Sequence, residues 1–212
     1  MEADFWHTRW ENMQIGFHEG DVNRMLSAHI GALGLDPGAR IFLPLCGKTR
    51  DIAWLLAQGY RVAGAELSDF AVCQLFEELG VTPEITDHGT LRSYAAPGVI
   101  VFAGDIFELT PDLLGPVDAI YDRAALVALP ADMRARYTAH LVTLTATAPQ
   151  LLVTFEYDPA IMAGPPFSVT AAEVHSHYAS HYRITQLADL DVPGGLKGIC
   201  PARELALHLA PS

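Results

Sequence analysis

The chain has 212 residues, of which 50% are hydrophobic and 18% are charged, which predicts one packed globular domain over residues 1–212. Its formal net charge of −12 argues against nucleic acid as a partner and against an anionic membrane surface, because both require a basic face. A small-molecule substrate is compatible with this charge.

The lack of a recognisable targeting signal and the pattern of the cysteines predict a cytoplasmic protein. The N-terminal residues are acidic and aromatic and contain no apolar stretch of signal-peptide length. No apolar run approaches the roughly 18 residues of a membrane span. Cys46, Cys73 and Cys200 have no CxxC spacing, which favours three reduced thiols over a disulfide framework or a zinc cluster.

Strand-sized apolar runs alternate with amphipathic stretches along the chain, and this alternation is typical of a parallel α/β sheet. A polar stretch around residues 87–89 suggests a side hairpin, and residues 1–35 form a helical extension before the first strand. Helices are predicted at about 4–13, 22–33, 48–58, from the Ser68 N-cap to Gly80, 131–146 and 171–180, and strands at 40–45, 60–67, 99–103, 117–121, 151–156, 183–187 and 204–209.

Polar residues follow the predicted strands, where open parallel sheets bind their ligands. Glu66 ends the second strand about twenty residues after the first strand-to-helix turn. A carboxylate accepts hydrogen bonds only, so it matches the two donors of a ribose diol. Asp105 follows the third strand, and Asp122 and Arg123 follow the fourth.

The Gly47-Lys48-Thr49 triplet does not form a phosphate-binding loop, because that loop needs a glycine where this chain has Phe42. The dinucleotide pattern GxGxxG is also absent there. These residues therefore favour an adenosine cofactor without a pyrophosphate, of which S-adenosylmethionine is the common one. A nicotinamide-dependent oxidoreductase is the weaker alternative, since its ribose is also bound by an acidic residue.

Several motifs resemble those of the thiopurine S-methyltransferases, particularly the bacterial members. Residues 42–48 (FLPLCGK) resemble the family signature F-x-P-L-C-G-K, and residues 66–68 match E-[IL]-S. Residues 105–107 and 121–129 are similar to the D/S-I-F and [YW]-D-R-[GA]-A-L-x-A motifs. The aromatic opening (Phe5, Trp6, Trp10 and residues 16–18, GFH) and residues 157–167 (YDP…GPPF) follow the family's order.

The resemblance implies a Rossmann-like class I methyltransferase with a seven-stranded, mostly parallel sheet, helices on both faces and an N-terminal helical cap over the active site. It implies methyl transfer from S-adenosylmethionine to aromatic or heterocyclic thiols, and in bacterial relatives to selenium or tellurium compounds, leaving S-adenosylhomocysteine. A protein of this fold that sequesters thiols or metalloid oxyanions without turnover is the non-enzymatic alternative. Nothing in the pattern requires more than a monomer.

Carried over by position, the cofactor-binding residues would be Trp10, Leu45, Glu66 and Arg123, with Asp105 and Ile106 beside the adenine. Arg123 would also act in catalysis by attracting an anionic nucleophile. Asp21 is a further hypothesis, as a polar contact on the substrate side, and His18 belongs to the same stretch.

The resemblance weakens after about Phe167 and leaves the acceptor pocket unassigned. Relatives with long C-terminal segments have a basic residue near the substrate, and neither Lys197 nor Arg203 aligns with it. His177 and His181 share a helix face, but the Glu and the third ligand of an HExxH site are missing. No metal site is therefore predicted.

Overall fold

The structure, a computed structural model, describes residues 3–12 and 20–212 and is built on one mixed β-sheet. The sheet has nine strands in the order β3-β4-β5-β2-β1-β6-β7-β9-β8. The strands are β1 Arg40–Leu43, β2 Arg61–Glu66, β3 Glu84–Asp87, β4 Arg92–Ala96, β5 Val99–Ala103, β6 Ala119–Arg123, β7 Gln150–Tyr157, β8 Tyr182–Asp191 and β9 Ala202–Pro211. The helices are α1 Ala3–Glu11, α2 Arg24–His29, α3 Arg50–Ala57, α4 Asp69–Leu79, α5 Pro111–Leu114, α6 Ala131–Leu144 and α7 Ala171–Tyr178.

The centre of the sheet is parallel and its edges are antiparallel. Strands β5, β2, β1, β6 and β7 run in parallel, and the β8–β9 hairpin pairs antiparallel with β7. The predicted side hairpin is present as β3–β4, and β4 pairs antiparallel with β5. The sheet therefore has nine strands instead of the predicted seven, because this hairpin adds two strands beside β5. The predicted Rossmann-like fold is confirmed.

Helices cover both faces of the sheet, as predicted. Successive residues of a strand point to opposite faces, so Ile41 and Leu43 enter one hydrophobic cluster while Phe42 enters the other. Helices α2, α3, α4, α5 and α7 begin at side-chain caps that satisfy free backbone N–H groups. Ser68 caps α4 as predicted, and α4 ends at the left-handed Gly80. Thr49, which the predicted helix 48–58 included, instead caps α3.

Strand β6 differs from the predicted 117–121 and spans Ala119–Arg123. The predicted range ended before the charged pair Asp122 and Arg123. The Asp122 side chain is buried, however, and accepts hydrogen bonds from the Leu126 N–H at 3.0 Å and the Tyr137 hydroxyl at 2.8 Å. Because these donors replace water, a charged residue continues the strand, and Arg123 becomes its last residue.

The N-terminal extension contains α1 and α2, the latter continued by a 3₁₀ turn at Ile30–Leu33. Residues 16–18 of the family's opening motif, His18 among them, lie outside the described residues. Within residues 3–12 and 20–212, none of the helices is long and apolar enough to cross a membrane.

Candidate active site

A cavity of about 460 Å³ lies at the carboxyl ends of β1, β2, β5 and β6. The strand order reverses between β1 and β6, since β2 follows on one side of β1 and β6 lies on the other. Ligands of open α/β sheets bind at such a switch point. The cavity therefore lies where the residues that follow the strands are predicted to bind a ligand.

The loop after β1 closes the inner end of the cavity. Leu45 has a φ of +46° and Gly47 a φ of +53°. A positive φ is uncommon for a bulky residue such as Leu45, and backbone strain of this kind is concentrated at functional sites. The loop after β1 passes the neighbouring strand β2 at Gly64. A Cβ on Gly64 would lie 2.9 Å from the Sγ atom of Cys46 in this loop. The glycine thus lets the loop lie against β2.

Glu66 ends β2 as predicted and lines the cavity. Its two oxygens accept the backbone N–H groups of Gly47 and Ser68, each at 2.8 Å. Glu66 is 5% exposed, and burial raises the pKa of its carboxyl group, while these N–H groups oppose that shift. The Glu66 side chain thereby links the segment after β1 to the segment after β2 by hydrogen bonds.

Asp105 and Ile106 follow β5 and also line the cavity. Asp105 is exposed, and its carboxylate accepts the Phe107 N–H at 3.0 Å as the cap of a 3₁₀ turn. Ile106 is buried, and its carbonyl is 2.8 Å from Nε2 of His140. The pair offers one polar and one apolar contact at the edge of the cavity.

Arg123 lines the cavity at the end of β6 and lies near the buried carboxylate of Asp51, the second residue of α3. Asp51 accepts the Asn23 N–H at 2.7 Å and the Tyr121 hydroxyl at 3.1 Å. Burial raises the pKa of Asp51, and the Arg123 charge acts in the opposite direction. Asp51 and Tyr121 also line the cavity.

Helix α1 supplies Trp6, Arg9 and Trp10 to the lining. Trp10 is 2% exposed, and the Arg9 guanidinium lies 4.5 Å from the centre of the Phe5 ring. The N-terminal extension therefore forms part of the site. Asp21 is not brought there: it is exposed, its carboxylate accepts the Val22 N–H at 2.8 Å, and it is absent from the lining.

Further lining residues come from α6 and from the β8–β9 loop. Lys197, in the β8–β9 loop, donates to the Pro165 carbonyl at 2.7 Å, and burial together with the nearby Arg9 charge lowers its pKa. The Arg136 guanidinium lies 3.7 Å from the centre of the Phe107 ring. We call the lining from α1, α6 and the β8–β9 loop the outer wall (Trp6, Arg9, Trp10, Met133, Arg136, Leu196, Lys197).

The sequence of this chain is similar to those of known proteins. A family model for thiopurine S-methyltransferase matches residues 1–197. The chain is 62% identical to the thiopurine S-methyltransferase of Xanthobacter autotrophicus, with 96% of each chain covered. It is 52% identical to that of Gluconobacter oxydans, covering 99% of this chain and 95% of the relative.

This chain belongs to the thiopurine S-methyltransferase family. Among solved structures, it is similar to a Burkholderia thailandensis 1,6-didemethyltoxoflavin-N1-methyltransferase with bound S-adenosylhomocysteine, at a TM-score of 0.67 and 18% identity, covering 98% of this chain and 87% of the other. That likeness confirms the class I methyltransferase fold. The protein is a thiol methyltransferase with S-adenosylmethionine as its cofactor.

The chemistry of the cavity fits this cofactor. Glu66 offers a carboxylate for a ribose diol, Ile106 offers an apolar surface for a base, and Arg123 and Asp51 offer opposite charges. Every cofactor residue expected from the thiopurine S-methyltransferase motifs, from Trp10 to Arg123, lines the one cavity. The motifs did not include Asp51, Arg136 or Lys197, and they gave no role to Tyr121, the first residue of the 121–129 motif. Only the short distance of Asp51 from the FLPLCGK motif in sequence could have suggested its position.

Proposed function

We propose that the protein methylates the sulfur of aromatic or heterocyclic thiols, and that Trp10, Leu45, Glu66, Asp105, Ile106 and Arg123 bind the cofactor. The observation that carries this proposal is the convergence of these six residues on one cavity at the switch point. Glu66 would accept from the ribose, Asp105 and Ile106 would contact the adenine, and Arg123 would lie at the amino-acid end. Asp21 stays a prediction, as a polar contact on the substrate side.

The bound cofactor supplies an electrophilic methyl group on a sulfonium. The protein's contribution is then to orient a nucleophile and to exclude water. We assign Arg123 the role of favouring the anionic form of the thiol, because a guanidinium remains charged at all working pH values. Residues 1–35 would act as a cap, with the Trp10 ring facing the positive end of the cofactor.

The lining supports an acceptor that is partly apolar and carries negative charge. The chain has 13 Lys and Arg against 25 Asp and Glu, yet among the described residues 3–12 and 20–212 five basic and three acidic ones line the cavity, which reverses the overall balance. Apolar side chains accompany these charges. The basic residues are Arg9, Lys48, Arg123, Arg136 and Lys197, the acidic ones are Asp51, Glu66 and Asp105, and the apolar ones include Val127, Leu129, Met133 and Phe155.

The deciding experiment incubates the purified protein with S-adenosylmethionine labelled in its methyl group. The acceptors are a panel of aromatic and heterocyclic thiols, with selenite and tellurite as further candidates. We expect labelled thioether from the thiols. Cofactor binding without product from any acceptor would favour a sequestering protein. Absence of both binding and product would overturn the proposal.

Replacement of Arg123 tests its catalytic role. We expect Arg123→Ala to lower kcat/KM for a thiol by about 10-fold to 100-fold, since a charged contact contributes on the order of 1.5–3 kcal/mol. Arg123→Lys should recover part of this rate, because it restores the charge without the planar fork. Steady-state kinetics with saturating cofactor provide the measurement. An undiminished rate for Arg123→Ala would overturn the catalytic role of this residue.

A further inference from the structure

The cavity lining contains a buried carboxylate to which the family motifs give no role. Asp51 is 1% exposed, yet it lines the cavity. Its neighbours are the Asn23 N–H, which donates to Oδ1, and the Tyr121 hydroxyl, which donates to Oδ2. The Thr49 side chain is a third hydrogen-bonding neighbour, and because a carboxylate has about four acceptor positions, these contacts leave room for one further donor. A buried charge facing a ligand cavity calls for a partner of opposite sign.

Arg123 is the basic residue whose charge acts on Asp51. The two side chains lie on adjoining elements, since Asp51 is at the start of α3, just after β1, and Arg123 ends the neighbouring β6. A carboxylate and a guanidinium side by side on one cavity wall are complementary to a zwitterion. The amino-acid portion of the cofactor has its ammonium and its carboxylate on a single carbon, so the groups that bind them must be neighbours.

The other two acidic residues in the described part of the lining, Glu66 and Asp105, are poorly placed for this role. Glu66 ends β2, which is separated from β6 by β1, and Asp105 follows β5, one strand further away. With strands spaced by roughly 4.8 Å, these residues lie about 10 and 14 Å across the sheet from the end of β6. The Glu66 carboxylate accepts the backbone N–H groups of Gly47 and Ser68, and the Asp105 carboxylate accepts that of Phe107.

We propose that Asp51 binds the α-ammonium group of the cofactor, forming with Arg123 a paired site for its zwitterionic end. The Asn23 N–H and the Tyr121 hydroxyl hold the carboxylate in place for that contact. Through Asn23, which caps α2, the same contact links the N-terminal extension to cofactor binding. This inference rests on the proposed cofactor site and adds the group that distinguishes the amino-acid end from the adenosine end.

The test is a binding cycle by calorimetry with S-adenosylhomocysteine and its desamino analogue, in which hydrogen replaces the ammonium group. We expect the wild-type protein to bind the desamino analogue about 10-fold to 100-fold more weakly, as for other hydrogen bonds between charged groups. Asp51→Asn should weaken S-adenosylhomocysteine binding by a similar factor and should leave the affinity for the desamino analogue nearly unchanged. Asp132→Asn, an exposed carboxylate outside the lining, serves as the matched control.

The outcomes separate this inference from the cofactor assignment. Equal wild-type affinity for the two ligands would overturn the ammonium contact even if Asp51→Asn does not fold. Equal losses for both ligands in Asp51→Asn would also overturn it, because they would indicate a purely structural carboxylate. A wild-type protein that binds neither ligand would overturn the cofactor site itself, and this inference with it.

Discussion

The two sides of the cavity are built differently. One side, which we call the sheet edge, is formed by the carboxyl ends of β1, β2, β5 and β6 and the segments that follow them. There Glu66 and Asp51 are buried, and both accept hydrogen bonds from backbone N–H groups of other elements. On the outer wall, Arg136 and Lys197 are exposed, and their partners are a ring face and a carbonyl group. The sheet edge is thus fixed by the fold, whereas the outer wall presents charges on side chains with more freedom. We therefore expect mutations at the sheet edge to change cofactor binding and stability, and mutations of Arg136 and Lys197 on the outer wall to change acceptor preference.

The largest effect is expected for Glu66→Ala. Loss of the carboxylate removes two charge-assisted acceptors for the ribose diol, so affinity for S-adenosylhomocysteine should fall by about 100-fold. The N–H groups of Gly47 and Ser68 also lose their acceptor, so the midpoint of thermal unfolding should fall as well. Calorimetry and thermal unfolding measure the two effects.

The matched control is Glu108→Ala. Glu108 is an exposed acid just after β5 and lies outside the cavity lining, so its replacement should leave cofactor affinity unchanged. If Glu66→Ala retained wild-type affinity, the ribose assignment would be wrong, and the sheet edge would lose its proposed role.

The difference between the two sides also explains how much could be predicted from the sequence. The sheet edge consists of short segments that follow strands, so Leu45, Glu66 and Asp105 could be located from strand periodicity and family motifs. In β6 the same approach ended the strand two residues early. Asp122 is charged, and its buried donors come from Leu126 and Tyr137, which only the folded chain brings to it.

The outer wall could not be predicted because its members are distant in sequence. Arg9, Arg136 and Lys197 lie in α1, α6 and the β8–β9 loop, and only the packing of these elements brings them to one cavity. The C-terminal region offered two candidate basic residues, and the structure distinguishes them. Lys197 lines the cavity, whereas Arg203 lies outside the lining and forms an ion pair with Asp189.

A smaller effect is expected for Gly64→Ala, which tests whether the sheet edge is tightly packed. The new methyl group would lie 2.9 Å from Cys46 Sγ and 3.2 Å from Val101 Cγ2. Overpacking of this kind should lower the free energy of unfolding by ~1–3 kcal/mol. Because Cys46 precedes Gly47, whose N–H binds Glu66, cofactor affinity should fall together with stability.

Gly31→Ala is the matched control for this substitution. A Cβ at Gly31 meets no atom within 4 Å, so unfolding by denaturant should show little change. Equal stability of the Gly64→Ala and wild-type proteins would show that the loop after β1 can shift, and the contrast between a fixed edge and a freer outer wall would weaken.

The smallest effect is expected for Lys197→Ala on the outer wall. An exposed charge contributes at most ~1 kcal/mol to such a contact. The KM of an acceptor thiol that carries a carboxylate should therefore rise by about twofold to fivefold, and the effect should shrink as salt is added. The KM of a neutral thiol and the affinity for S-adenosylhomocysteine should stay the same.

Arg203→Ala removes a basic residue of the same region that lies outside the lining, and it should change neither KM. A Lys197→Ala protein whose KM rises equally for charged and neutral thiols would mean that the side chain acts by shaping the β8–β9 loop, through its bond to the Pro165 carbonyl. A selective rise for the charged thiol would mean that the outer wall recognises the acceptor by charge, in a protein whose overall charge is strongly negative.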